Sequence, residues 1–324
     1  MRLPGRKLVR RALRRLARTV APGAVVLGYH RVADASWDPL GLAVSPRHFA
    51  EQVAALKAVR TIVNLGSLAE RHAAGDPLER YAALTFDDGY DDFAKTVLPI
   101  VESQAVPVTV FVATGFTGKA FWWDEIAASL APAQVAGDSL EVSRGDGTAW
   151  HYEGLGAPEK RAAAVRDLCD RLACADPREI RDVVAQLRSR AGGAAPRPGF
   201  GAMSRRELET AARHPLVEIG AHTVSHGCLA KLPESDQRAE ISRSKAAIEA
   251  LPGVAAAVFS YPNGSFSAET PVLLRSLGFA CACTSRDGVF NRRTDRFRIP
   301  RIWTPNVDAP GFQRWLESWV AGIA

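Results

Sequence analysis

A chain of 324 residues with 47% hydrophobic and 23% charged side chains can bury a large core, and this balance excludes a disordered or collagen-like class. The formal charge of +6 suggests a polyanion binder, but Arg2, Arg6, Lys7, Arg10, Arg11, Arg14, Arg15 and Arg18 supply all of it. Without those eight the remainder is about −2, so nucleic-acid binding is not expected.

Residues 1–22 form a basic N-terminal segment in which Leu3, Val9, Leu13, Leu16 and Val20 recur at roughly helical spacing. Arginines interrupt every apolar window, so neither a secretory signal nor a membrane span is expected. Two readings stay open: an amphipathic helix making peripheral contact with anionic lipid, and a solvated tail or helix packed on the domain. The expected location is cytoplasmic, with or without attachment to the inner membrane face. Cys169, Cys174, Cys228, Cys281 and Cys283 are odd in number and lack framework spacing, so all are expected to be reduced.

Ala24–Tyr29 is a continuous apolar strand of the buried parallel kind and ends at His30. Ser45-Pro46 starts a helix, Thr61–Asn64 is a strand and Leu68–Ala74 a helix. Tyr81–Phe86 is a strand that runs into Asp87-Asp88-Gly89. Adjacent carboxylates resist burial, so a cation is the economical compensation, against a plain turn before the next helix. Asp91 and Asp92 would favour that helix's N-terminus. A helix over Phe93–Gln104 and a strand at Val108–Ala113 follow.

From about 119 to 202 the alternation breaks. Phe121-Trp122-Trp123-Asp124, a polar stretch near Ser143–Tyr152, helices at Ala157–Ala173 and Pro177–Arg190 and a Gly/Ala/Pro-rich linker read as a largely helical insertion or lid over a core of 23–118 and 203–324. Trp122 and Trp123 suit either sugar stacking or packing. Alternation resumes with a capping box at Ser204 and Glu207, a staple of Met203 on Leu208, and strands at Leu216–Gly220, Ala255–Ser260 and Phe279–Thr284. An extended Phe297–Ile302 and a helix near Pro310–Val320 complete the chain. About seven strands, each tending to precede a helix, make the expected architecture an irregular α/β (β/α) barrel with polar residues at the strand C-terminal ends.

His222-Thr223-Val224-Ser225-His226 places two imidazoles four residues apart just after a strand. Alone, the pair could be polar loop residues; with a carboxylate pair at another strand end, one Asp and two His make an acceptable set for Zn²⁺ or a similar ion. Thr85-Phe86-Asp87-Asp88-Gly89 together with that pair resembles the polysaccharide deacetylases of the NodB-homology type (carbohydrate esterase family 4). Phe259-Ser260-Tyr261-Pro262-Asn263-Gly264 and Tyr29-His30-Arg31-Val32 resemble two further motifs of the same family.

The resemblance implies a metal-dependent hydrolase that removes N-acetyl groups from amino sugars of a polysaccharide or glycolipid. Asp88, His222 and His226 would bind a divalent metal, expected to be Zn²⁺, and Asp87 would be the general base. The backbone N–H of Tyr261 would meet the oxyanion, since Pro262 has none, and His30 would protonate the leaving amine. The sequence departs from the family pattern in two places. Ser260 stands where many members have Arg, for which Arg301 would substitute, and the late Leu-x-His motif is missing, which leaves His30 as the acid. Deformylation or deacetylation of a lipid-linked sugar, and O-deacetylation, are alternatives in the same class; a non-catalytic glycan-binding protein is the alternative from another.

Overall fold

The computed structural model describes residues 23–132, 137–191 and 201–320. The basic segment with its lipid-contact reading, and nearly all of the Gly/Pro-rich linker, lie outside the described residues.

Strand β1 (Val25–Tyr29) is apolar and buried at every position, as a strand covered on both faces must be. It leads to a small parallel pair, β2 (Arg31–Val32) and β3 (Ala43–Val44). Helix α1 (Pro46–Val59) begins where Ser45 accepts the His48 N–H and proline occupies the first turn. Then come β4 (Thr61–Ile62), α2 (Leu65–Ala74) and β5 (Tyr81–Phe86). A π-helical turn (Phe93–Val97) precedes α3 (Leu98–Gln104) and β6 (Val108–Val112).

The segment after β6 holds α4 (Trp122–Ser129), a hairpin of β7 (Ser139–Ser143) and β8 (Ala149–Glu153), then α5 (Pro158–Leu172) and α6 (Pro177–Arg190). Helix α7 (Arg205–Ala212) starts on the Ser204–Glu207 capping box, with both reciprocal bonds present. After it, β9 (Val217–Ala221), α8 (Glu234–Glu249), β10 (Val258–Ser260), α9 (Thr270–Ser276), β11 (Cys281–Cys283), β12 (Ile302–Trp303) and α10 (Ala309–Val320) complete the described chain.

The main sheet runs β11-β10-β9-β6-β5-β1-β12, with β4 beside the start of β5, and every pairing in it is parallel. Its two edges approach each other. Ile299 bridges Cys283 of β11, and three residues on Ile302 pairs with Leu27 of β1. Residues 299–303 therefore span the seam of a curled, irregular barrel. Gly28 permits this closure, because a Cβ there would lie 2.8 Å from the Trp303 ring. The parallel arrangement sends the C-terminal ends of β1, β5, β9 and β10 to one rim, and the polar residues follow them.

The insertion has its own apolar cluster, including Phe121, Trp123 and Ile126 of the α4 region, Val165, Leu168 and Leu172 of α5, and Val183 and Leu187 of α6. The hairpin adds Leu140 and Val142, buried between exposed Ser139, Glu141 and Ser143. That period of two is a strand signal just before the stretch read from sequence as polar.

One expectation is overturned. Cys174 and Cys228, 54 residues apart, form a disulfide, while Cys169, Cys281 and Cys283 are free and buried. Spacing alone could not reveal the pair, because it joins the end of α5 to a loop of the barrel rather than closing a local framework. Replacing both cysteines by alanine should lower the thermal midpoint, with a loss of about 2–5 kcal/mol in unfolding free energy. Unfolding curves of wild type and variant measure this; coincident curves would show that the link contributes nothing.

Candidate active site

Strand β5 delivers two carboxylates to the rim, and the fold treats them differently. The Asp87 N–H donates to the Tyr29 carbonyl at 2.9 Å, extending the β1–β5 ladder by one step. Asp88 then turns through a left-handed conformation (φ 71), and its carbonyl accepts the Ala113 N–H at 3.1 Å. Consecutive side chains therefore leave the strand in different directions.

Asp87 faces inward to Arg301, which is fully buried. The guanidinium binds both carboxylate oxygens at 2.6 Å and also donates to the Ser260 hydroxyl (2.9 Å) and the Thr284 carbonyl (3.2 Å). Burial by itself would raise the Asp87 carboxyl, but the guanidinium outweighs it and holds the group below the usual carboxylate range. Arg301 reaches Asp87 from the segment that closes the barrel, and the Ser260 hydroxyl also donates to Asp87 at 3.3 Å.

Asp88 faces the imidazoles. Its Oδ1 lies 3.4 Å from His222 Nε2 and 3.3 Å from His226 Nε2. One ligand atom from each of the three residues falls within 4.8 Å of the others. The His222 ring is set by Nδ1–H donating to the Ser260 carbonyl at 2.8 Å, which leaves the Nε2 lone pair directed at the cluster. Asp88 Oδ1 is buried and has no hydrogen-bond partner. A buried carboxylate oxygen between two imidazole nitrogens is a donor set suited to a divalent cation of the zinc type. The five residues from His222 to His226 are held by Glu240, whose Oε2 accepts the Val224 and Ser225 N–H groups at 2.9 Å each. Thr223 Oγ1 accepts the His226 N–H at 3.0 Å, and Thr223 and His226 both take left-handed conformations.

These residues border a cavity of about 360 Å³. His30 lines it from the end of β1, half-buried and stacked on Trp303 with ring centroids 4.5 Å apart. The Arg301 guanidinium also lies over that indole, at 4.8 Å. Burial pushes the His30 imidazole below its usual value. Trp303 was not singled out in the sequence, although its offset of two from Arg301 puts it on the same face of an extended segment. The insertion contributes Trp122, Asp170 and Ala173 to the cavity wall, and the Cys174–Cys228 bridge fastens that wall two residues past His226.

The structure corrects the expected use of Tyr261. Its backbone N–H donates to the Cys283 carbonyl at 3.1 Å, continuing the β10–β11 ladder, and its hydroxyl donates to the Phe297 carbonyl at 2.9 Å. Neither donor is left for a substrate. Asn263, with φ 55 in a short 3-10 turn (Pro262–Gly264), borders the cavity instead.

Asp92 stands at the N-terminus of the π-helical turn as expected, but its side chain makes no capping bond. It accepts from Arg31 Nε at 3.1 Å and from the Val32 N–H at 3.0 Å, both buried. Nearby, Trp123 Nε1 donates to the Tyr90 hydroxyl at 2.6 Å, and burial pushes the neighbouring Asp124 carboxyl up to about 7. Both tryptophans border the cavity, Trp123 buried and Trp122 half-buried.

The polysaccharide deacetylase family model matches residues 74–138 and 190–282, the two stretches that supply Asp87, Asp88, His222, His226 and Ser260 to Gly264. The structure of IcaB from Ammonifex degensii superposes with a TM-score of 0.59 at 19% identity, covering 93% of this chain and 97% of that one. The Streptococcus pyogenes deacetylase PplD in complex with acetate gives 0.58 at 14% identity, covering 93% and 98%. At such identities the likeness is one of fold. The poly-β-1,6-N-acetyl-D-glucosamine N-deacetylase of Escherichia coli (strain K12) is 34% identical over 87 residues, 26% of this chain and 13% of that protein. The match thus spans about an eighth of the curated relative's length. Over the two stretches matched by the family model, which carry the motifs and the rim cluster, the chain matches the polysaccharide deacetylase family.

Proposed function

We propose that the chain is a metal-dependent N-deacetylase acting on N-acetylated amino sugars of a polysaccharide or glycolipid. The observation that carries the reading is the divided carboxylate pair. Asp88 lies between His222 and His226 with a buried unpartnered oxygen, while Asp87 is held separately by Arg301 at the edge of the same cavity. Asp88, His222 and His226 would hold the cation, zinc being the ion that best suits two imidazoles and a carboxylate. When bound, such an ion supplies Lewis acidity, polarising a carbonyl and acidifying water.

The remaining steps belong to the chain's own groups. Asp87, kept ionised and oriented by the bidentate guanidinium, accepts a proton as water attacks the amide carbonyl. The Asn263 N–H takes the role expected of Tyr261, being the next N–H after Pro262 and lying at the start of a short helical turn where such donors are unpaired. His30 donates a proton to the leaving amine nitrogen, so that acetate and a free amino sugar result. Its lowered pKa makes the imidazolium a stronger acid, with a smaller protonated fraction at neutral pH. Trp303 beneath the ring fixes its plane.

The named activity of the Escherichia coli relative, on poly-β-1,6-N-acetyl-D-glucosamine, supports an N-acetylhexosamine polymer as the substrate class. Among the described residues no helix is long and apolar enough to cross a membrane. The Cys174–Cys228 bridge favours an oxidising compartment over the cytosol expected from sequence.

Asp87→Asn should retain the bound cation but lose acetate release from N-acetylglucosamine oligomers by at least about a hundredfold, whereas Asp88→Asn should lose the cation itself. Metal content and acetate release measured on the same samples test both, and full activity in either variant would refute the mechanism.

Arg301→Met strands a buried carboxylate and should cost about 3–5 kcal/mol of unfolding free energy at neutral pH. The lowered pKa of Asp87 means that its pairing stabilises the wild type above the ordinary carboxylate pKa and is lost as pH falls through the lower folded value. Without the guanidinium, burial raises the Asp87 carboxyl in the variant instead, so the gap between variant and wild type should narrow as pH falls from neutral towards the lowered wild-type value. Denaturant titrations across pH read this directly; a gap independent of pH would contradict it.

A further inference from the structure

The two imidazoles of the cluster are held by different means. His222 is oriented from within the barrel, by the Ser260 carbonyl at the end of β10. His226 has no such bond: its Nδ1 is buried and finds no hydrogen-bond partner among the described residues. A ligand imidazole free to turn about its side-chain bonds loses entropy on coordination, so something must fix its plane if the site is to be pre-organised. What lies against the His226 ring is the Trp123 indole, with centroids 4.7 Å apart and planes tilted by 49°.

Trp123 is itself firmly placed. It is 6% exposed and stacks on Phe121 at 4.7 Å and 14°. Its indole N–H donates to the Tyr90 hydroxyl at 2.6 Å. Tyr90 is fully buried, two residues after Asp88, and its ring carries the Arg31 guanidinium at 4.7 Å. Arg31 in turn pairs with Asp92. The later residues of Asp87–Asp92, which neither hold the cation cluster nor face the substrate, therefore anchor the first turn of the insertion.

We propose that Trp123, locked by Tyr90, is a positioning residue for the metal ligand His226, so that the insertion helps to set the geometry of the cation site as well as walling the cavity. The proposal rests on Asp88, His222 and His226 being the ligand set and adds a role that the barrel motifs do not contain. Trp123→Phe keeps an apolar ring but removes the N–H that fixes it, and Tyr90→Phe removes the acceptor with little change of volume.

The test uses full-length chain stripped of metal. Zinc affinity is measured by competition with a chelating dye, the visible spectrum is recorded after loading with Co(II), and apo thermal midpoints are taken for Trp123→Phe, Tyr90→Phe and Trp150→Phe. Trp150 belongs to the same insertion, but it packs under Arg144 and Arg171 and does not line the cavity. Trp123→Phe and Tyr90→Phe should each weaken zinc binding by about ten- to a hundredfold and alter the Co(II) spectrum. Trp150→Phe should lower the midpoint and leave zinc affinity unchanged. Wild-type affinity and spectrum in both of the first two variants would overturn the proposal, as would equal weakening by Trp150→Phe, which would trace the effect to general loosening of the insertion. A wild-type chain that takes up no stoichiometric cation would overturn the ligand set as well, a result distinct from either of these.

Discussion

Two adjacent carboxylates end a strand that is buried on both faces, and most of the rim is arranged around them. A low-dielectric site will not hold both as unpaired ions. The left-handed turn at Asp88 sends the two side chains apart, and each then meets its own compensation: a guanidinium for Asp87, two imidazoles and a place for a cation for Asp88. The guanidinium comes from residues 299–303, the segment that bridges the edge strands. The segment that closes the barrel is therefore also the one that pairs Asp87, because Arg301 lies just before β12 where it joins β1. Ser260 joins the two halves by offering its hydroxyl to Arg301 and Asp87 and its carbonyl to His222.

The insertion adds a second layer of constraint. Its first turn is tied through Trp123 to Tyr90, and the end of α5 is tied through Cys174 to Cys228. Both attachments fall within two residues of a member of the cation cluster, Asp88 in one case and His226 in the other. The segment tied at these two points lines the cavity with Trp122, Trp123, Asp170 and Ala173, and on our proposal its first turn also positions His226.

Much of this was legible in the sequence, and the reason differs by element. Strand β5 and helix α6 are recovered to the residue because apolar runs and a proline-led start mark them unambiguously. The capping box at Ser204 and Glu207 is a local device and was readable as such. A shared place at strand ends suggested one Asp of the Asp87-Asp88 pair with His222 and His226, and the resemblance picked Asp88; no local rule spans the 134 residues between Asp88 and His222. Other features lay beyond reach for the same physical reason. The disulfide, the Arg31–Asp92 pair and the stacking of His30 on Trp303 are contacts between distant segments, each weak in sequence signal and decided by how those segments fold back on one another. Tyr261 misled because its neighbour lacks an N–H; whether its own N–H is free depends on the β10–β11 register, and the ladder takes it.

The most direct measurement of the central claim is a zinc titration of the chelator-stripped chain with acetate release from a β-linked N-acetylglucosamine oligomer recorded at each addition. The account expects no release without metal and a rise that saturates at one equivalent per chain, with free amine appearing in step with acetate. Undiminished release from the stripped protein, or stoichiometric zinc uptake with no hydrolysis of any N-acetylated sugar offered, would contradict it.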